Sequence, residues 1–71
     1  MSDGQSFSLN GKQKPWTAMS VVGLLEEAGV DSGRGGVAVA RNGEVVPRAQ
    51  WAQTAVQPDD RIEIVHIVRG G

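Results

Sequence analysis

The 71-residue chain contains no cysteine and a single histidine, His66. Without cysteine there is no disulfide and no thiolate metal site. One histidine with neither a second His nor a Cys cannot complete a ligand set, so His66 reads as a packed or surface residue. Aromatics are scarce as well, limited to Phe7, Trp16 and Trp51. Seven Lys and Arg residues face eight Asp and Glu, and the basic ones are scattered. A nucleic-acid surface would need a basic stripe with interleaved aromatics, so no nucleic-acid partner is expected. No apolar run approaches the ~20 residues of a membrane span. No basic-then-apolar leader is present either. The expectation is a cytoplasmic protein without a membrane partner, formed as one domain over residues 1–71, near the lower size limit for an unaided core. No Ser/His/Asp or Cys/His arrangement exists, so no catalytic residue, no metal ligand and no bound cofactor is assigned.

What is present reads as a regular alternation of elements. Residues 1–5 form a small, polar lead-in. Phe7 and Leu9 alternate with Ser6 and Ser8, the period of a half-buried strand, and Asn10-Gly11 is a strong hairpin signal. Residues 12–16 should return, ended by Pro15. A strict two-residue turn sets Lys12 and Lys14 opposite Leu9 and Phe7. Either the lysine stems then snorkel past the sheet edge, or the turn is looser. Residues 17–29 read as the one helix, with Val21, Leu24, Leu25 and Ala28 on a single apolar stripe. Ser20 is its N-cap, Met19 a staple onto Leu24, and Gly29 the left-handed residue past its end. Gly23 costs about 1 kcal/mol inside a helix, acceptable if it brings the helix close to a sheet. Gly33, Gly35 and Ala38 match the spacing of a dinucleotide fingerprint. That motif must follow a strand and open a helix, and here the order is reversed, which excludes it.

Residues 37–41 form the next strand, Asn42-Gly43 the next turn, and residues 44–47 its return. This register pairs Arg41 with Glu44, an opposite-charge contact worth roughly 0.2–1 kcal/mol, and sets Val39 against Val46. Residues 48–57 lack clear periodicity and are read as a short helical turn or tucked loop anchored by Trp51. Pro58-Asp59-Asp60 is a turn in which an Asp side chain bonds locally. The final strand runs over residues 61–68, with Ile62 and Ile64 on one face and Arg61, Glu63 and Val65 on the other. Its later half is apolar on both faces, and one helix covers only one of them. Val65 and Ile67 are therefore assigned to a partner-binding surface. A crossover through the helix brings this strand back parallel to the first. The layout is an α+β β-grasp: a mixed four- or five-stranded sheet packed on one helix.

The strand leads into Val68-Arg69-Gly70-Gly71. Two residues without a Cβ pass through channels that exclude other side chains. The α-carboxylate of Gly71, with a reference pKa of about 3.5, is ionised at neutral pH and is an oxygen nucleophile. The plainer reading is a tail that merely ends in glycine.

Several stretches together resemble the ThiS family, the ubiquitin-like sulfur carriers of thiamine biosynthesis. They are Leu9-Asn10-Gly11, the helix with Leu24-Leu25, the run Asn42 to Arg48 followed by Trp51, Asp59 to Val65, and Gly70-Gly71. Val46-Pro47-Arg48 with Trp51 is the more specific part, and Arg69 stands where the family more often carries a small residue. The resemblance implies that a ThiF-like adenylating enzyme binds ATP and Mg²⁺ and receives the tail. Gly71 would become an acyl-adenylate, then a thiocarboxylate once a persulfide sulfur donor displaces AMP. A thiazole synthase of the ThiG type would consume that sulfur. Because the chain has no cysteine, the sulfur must come from elsewhere. Arg69, Gly70, Val68, Ile67 and Val65 would form the delivery arm and docking face of a carrier that is not itself an enzyme. Three alternatives stand beside this reading: a carrier of the molybdopterin-synthase small-subunit type, a ubiquitin-like protein modifier, and a plain β-grasp interaction module with an idle tail.

Overall fold

Two asparagine-glycine pairs set the outline of the molecule. In the computed structural model, which describes residues 4–30 and 36–66, Asn10 and Gly11 have φ of 51° and 84°, and Asn42 and Gly43 have 54° and 88°. Positive φ at both central residues is the type I′ turn, whose twist matches that of the strands it joins. The first turn links β1 (Ser6–Leu9) to β2 (Lys12–Pro15) with Leu9 opposite Lys12 and Phe7 opposite Lys14. The turn is therefore strict, and the lysines do lie on the side of Phe7 and Leu9. The cost is small because β2 is an edge strand with all four residues exposed. Lysines on an edge also discourage pairing with other chains.

The chain next forms a two-residue strand, β3 (Met19–Ser20), and only then the helix α1 (Val21–Glu27). The expected helix over 17–29 is thus too long at its start. Met19 and Ser20 instead pair antiparallel with β6 (Ala55–Val56), opposite Val56 and Ala55 respectively. This small second sheet was not foreseen. Ser20 caps the helix as expected, its Oγ accepting from Gly23 N–H at 3.1 Å. Two further N-terminal donors are satisfied by distant carbonyls, Val21 N–H by Thr54 at 2.9 Å and Val22 N–H by Trp51 at 3.3 Å. The helix start is therefore fixed by tertiary structure as much as by its cap.

At the other end Ala28 is the C-cap and Gly29 takes φ 80°. Gly29 N–H bonds Glu26 O at 3.1 Å and Val30 N–H bonds Leu25 O at 2.9 Å. That pair of bonds is a Schellman motif, and Val30 packs against the core beside it. Val21, Leu24 and Leu25 are buried, whereas Ala28 is exposed, so the apolar stripe is one residue shorter than expected.

β4 (Val37–Arg41) and β5 (Glu44–Val45) follow, then a 3-10 turn (Arg48–Gln50), β6, and β7 (Arg61–His66). The main sheet has five strands in the order β2-β1-β7-β4-β5. β7 lies at its centre, parallel to β1 and antiparallel to β4. Along β7 burial alternates, with Ile62 and Ile64 inward and Arg61, Glu63 and Val65 outward. Phe7, Val39, Val46, Ile62 and Ile64 meet Val21, Leu24 and Leu25 of α1 in one core, closed by Trp51 and Val56. Trp51 is 2% exposed and donates its indole N–H to Val46 O at 2.8 Å, while Arg48 stacks 5.5 Å above its ring centroid. The segment 48–57, read as a short helical turn or a tucked loop, is a 3-10 turn followed by the short strand β6.

Candidate functional site

The proposed site is the outer face and exit of β7, and three polar side chains position that strand. At its entry Pro58 and Asp59 occupy the centre of a turn closed by Asp60 N–H to Gln57 O at 3.1 Å. Proline at the first central position and φ 70° at Asp59 define a type II turn. The turn aims Asp60 inward, where it is 5% exposed and the one buried charged residue among those described. Its Oδ2 accepts from Arg41 Nε at 2.6 Å and from Gln57 N–H at 2.8 Å, and its Oδ1 from Asn42 Nδ2 at 2.9 Å. Burial by itself would push this carboxyl up. The Arg41, Gln57 and Asn42 hydrogen bonds, with the Arg41 charge, outweigh it and hold Asp60 below the ordinary Asp value.

This corrects the expected Arg41–Glu44 contact. The two are register partners, but the ion pair of Arg41 is with Asp60. A buried carboxylate offers denser hydrogen bonding than an exposed cross-strand glutamate. Asn42 completes the entry, its Oδ1 accepting Arg61 N–H at 2.8 Å while its own N–H bonds Arg61 O at 2.8 Å. Further along, Asn10 reaches β7 from the opposite side, accepting Ile64 N–H at Oδ1 at 2.8 Å. Both turn asparagines thus serve twice, as residues tolerant of positive φ and as side-chain partners of the last strand. The sequence signal was present in the Asn-Gly pairs, but turn propensity explained them fully and hid the second role.

Of the residues assigned to the tail and docking surface, Val65 is described. It is 54% exposed on the outer face, opposite Ala38. Val45, 73% exposed and paired with Ala40, extends the same face. The sheet therefore has an uncovered apolar strip, as the two-sided pattern of the last strand implied. Ile67, Val68, Arg69, Gly70 and Gly71 lie outside the described residues. No cluster of three or more potential metal ligands occurs among the described residues, and no helix among them is long and apolar enough to cross a membrane.

One helix held in a mixed five-stranded sheet, with first and last strands parallel at its centre, makes this a ubiquitin-like β-grasp domain. Comparison with known proteins narrows the class. Residues 4–71 match the ThiS family, and the chain belongs to that family. It is 44% identical over 48 residues to the sulfur carrier protein ThiS of Escherichia coli, covering 68% of this chain and 70% of that protein. A thiazole synthase of Paramagnetospirillum magneticum is 47% identical over 64 residues. That match takes in 89% of this chain, which spans only 19% of the length of that relative. The crystal structure of a thiamine biosynthesis protein (ThiS) from Geobacter metallireducens superposes with a TM-score of 0.78 at 29% identity, covering 93% of this chain and 99% of that one.

Proposed function

We propose that this ThiS-family chain carries sulfur for thiamine biosynthesis as a thiocarboxylate on Gly71, working as a co-substrate of partner enzymes. The observation that carries the reading is the reach of the family match, which includes the Arg69-Gly70-Gly71 end as well as the folded body. The chemistry follows from a terminal glycine. Its carboxylate oxygen attacks the α-phosphate of ATP, forming an acyl-adenylate and releasing pyrophosphate, with Mg²⁺ and ATP bound by a ThiF-like adenylating enzyme. A persulfide sulfur then attacks the acyl carbon and AMP leaves. Reductive cleavage of the resulting acyl disulfide by a thiol frees the thiocarboxylate. That group is an anionic sulfur nucleophile, and thiazole synthase is its proposed consumer. A thiazole synthase relative that contains a stretch 47% identical to this chain supports that pairing.

The folded body supplies what such a carrier needs. An uncovered apolar strip around Val65 and Val45 offers a docking face, and a central, multiply anchored β7 leads directly into the arm in sequence. The test is intact-mass spectrometry after incubation with ATP, Mg²⁺, a ThiF-like enzyme and a persulfide source. The expected gain is the mass difference between sulfur and oxygen, located on Gly71. Amidation of Gly71 should abolish it. An isopeptide adduct on other proteins in place of the sulfur gain would favour a modifier. Normal pathway function after deletion of Gly70 and Gly71 would leave only an interaction module.

A further inference from the structure

On its β1 side, β7 is held first by backbone and then by a side chain. Ser8 N–H bonds Asp60 O and Asn10 N–H bonds Ile62 O, each at 2.9 Å. The next rung of this parallel ladder falls at Ile64, but β1 has already turned away at Asn10-Gly11. The Asn10 carboxamide stands in for the missing peptide. Its Oδ1 accepts Ile64 N–H at 2.8 Å and its Nδ2 points to Ile64 O at 3.4 Å. Glycine satisfies the turn's φ equally well, so the turn leaves the carboxamide's role unexplained. Beyond Ile64, among the described residues, the register holds Val65 and His66 through Ala38 and Val37 of β4 alone.

We propose that Asn10 is a positioning residue for sulfur transfer, clamping Ile64 so that the delivery arm begins at a fixed point of the sheet. The proposal rests on the carrier reading given above. A partner that docks on the folded body and accepts the arm in a channel measures the distance between the two. Without the clamp, Ile64 to His66 are held from the β4 side alone among the described residues, so the root of the arm gains freedom and the delivered carboxylate is less often in register. The core need not change, because Ile64 remains paired with Val39 and covered by the helix face.

The test compares two variants of the same turn type. Asn10→Gly keeps positive φ and removes the clamp. Asn42→Gly does the same at Arg61, the end of β7 opposite the arm, and serves as the control for lost stability. Amide exchange of Ile64 should quicken about tenfold in Asn10→Gly, the equivalent of one hydrogen bond, and should stay at the control rate in Asn42→Gly after correction for global stability. In the thiocarboxylate assay, with the wild type first shown to load, Asn10→Gly should raise the KM for the carrier severalfold. Its kcat should stay within about twofold, because only the competent population changes. Asn10→Asp, which keeps the acceptor for Ile64 N–H, should fall between. Unchanged Ile64 exchange, an unchanged KM, or equal KM increases in both variants would overturn the clamp. Failure of the wild type to load overturns the carrier reading and this role with it.

Discussion

Asp60 provides the sharpest test of how the fold is held. Replacing it with alanine removes three hydrogen bonds at once: those from Arg41 Nε, Asn42 Nδ2 and the Gln57 N–H. Each bond from a neutral donor is worth about 1 kcal/mol net, and a charged donor about 1.5–3. The Arg41 term needs discounting, because its side chain is 35% exposed and rehydrates when freed. Relief of the buried carboxylate's own desolvation offsets a further part. The net loss should be about 2–4 kcal/mol. For a domain of this length total stability is of order 4–10 kcal/mol, so the variant should sit near the edge of folding. Asp60→Asn keeps the shape but turns an amide toward donors, and should lose about 1.5–3 kcal/mol.

Urea unfolding followed by tryptophan fluorescence reads both, with the midpoint shifting and the slope unchanged. The pH dependence gives a second handle. Asp60 is held below its ordinary value in the folded state, so as pH falls the unfolded chain takes up the proton first. The stabilisation is therefore complete above the unfolded pKa, about 4, and is lost as pH falls through the lower folded value. Wild type and Asp60→Asn should converge over that acid window and differ fully at neutral pH. A loss under about 1 kcal/mol for Asp60→Ala, or a wild-type advantage flat from neutral to strongly acid pH, would refute the assignment.

Other predictions need less argument. Gly23→Ala should stabilise the domain by about 0.5–1 kcal/mol, since an added Cβ meets only Ser20 Oγ at 3.6 Å and Met19 Cβ at 3.7 Å; a lower urea midpoint would count against it. Trp51→Ala should cost about 3–5 kcal/mol, because the ring is buried and its N–H bonded to Val46 O; calorimetry is the check, and a cost below that of a single methylene would contradict the packing. Val65→Glu, at a 54% exposed position, should change stability by less than about 1 kcal/mol. The same change should raise the KM for the adenylating enzyme, and an unaltered KM would remove Val65 from the docking face.

Much of the architecture was legible because its signals were local. The two Asn-Gly turns, the Ser20 cap, the Gly29 stop and the alternation of Ile62 and Ile64 each follow from a few neighbouring residues. The parallel return of the last strand then followed from chain connectivity. What was missed depends on distant partners. The Ser20 cap already marked the helix start, but nothing local showed that a strand precedes it. Met19 and Ser20 are extended because they find Val56 and Ala55, and the carbonyls of Trp51 and Thr54 receive the first helical amides. A two-residue strand has no periodicity to detect, and its partner lay in the stretch that showed none.

The anchors of β7 escaped for a related reason. Arg41 faces Glu44 across its hairpin, and local pairing rules favour that contact. Only the three-dimensional return of Asp60 to the entry of β7 offers a better partner, one that joins Gln57, Arg41 and Asn42 at a single buried carboxylate. The same return places Asn10 against Ile64, fifty-four residues away in sequence. These contacts share a purpose that composition could not disclose. β7 receives side-chain anchors from both neighbouring hairpins, from Asn42 at its entry and from Asn10 at Ile64. For the proposed carrier role this matters because the anchors act on the last strand before the chain reaches the residues assigned to delivery.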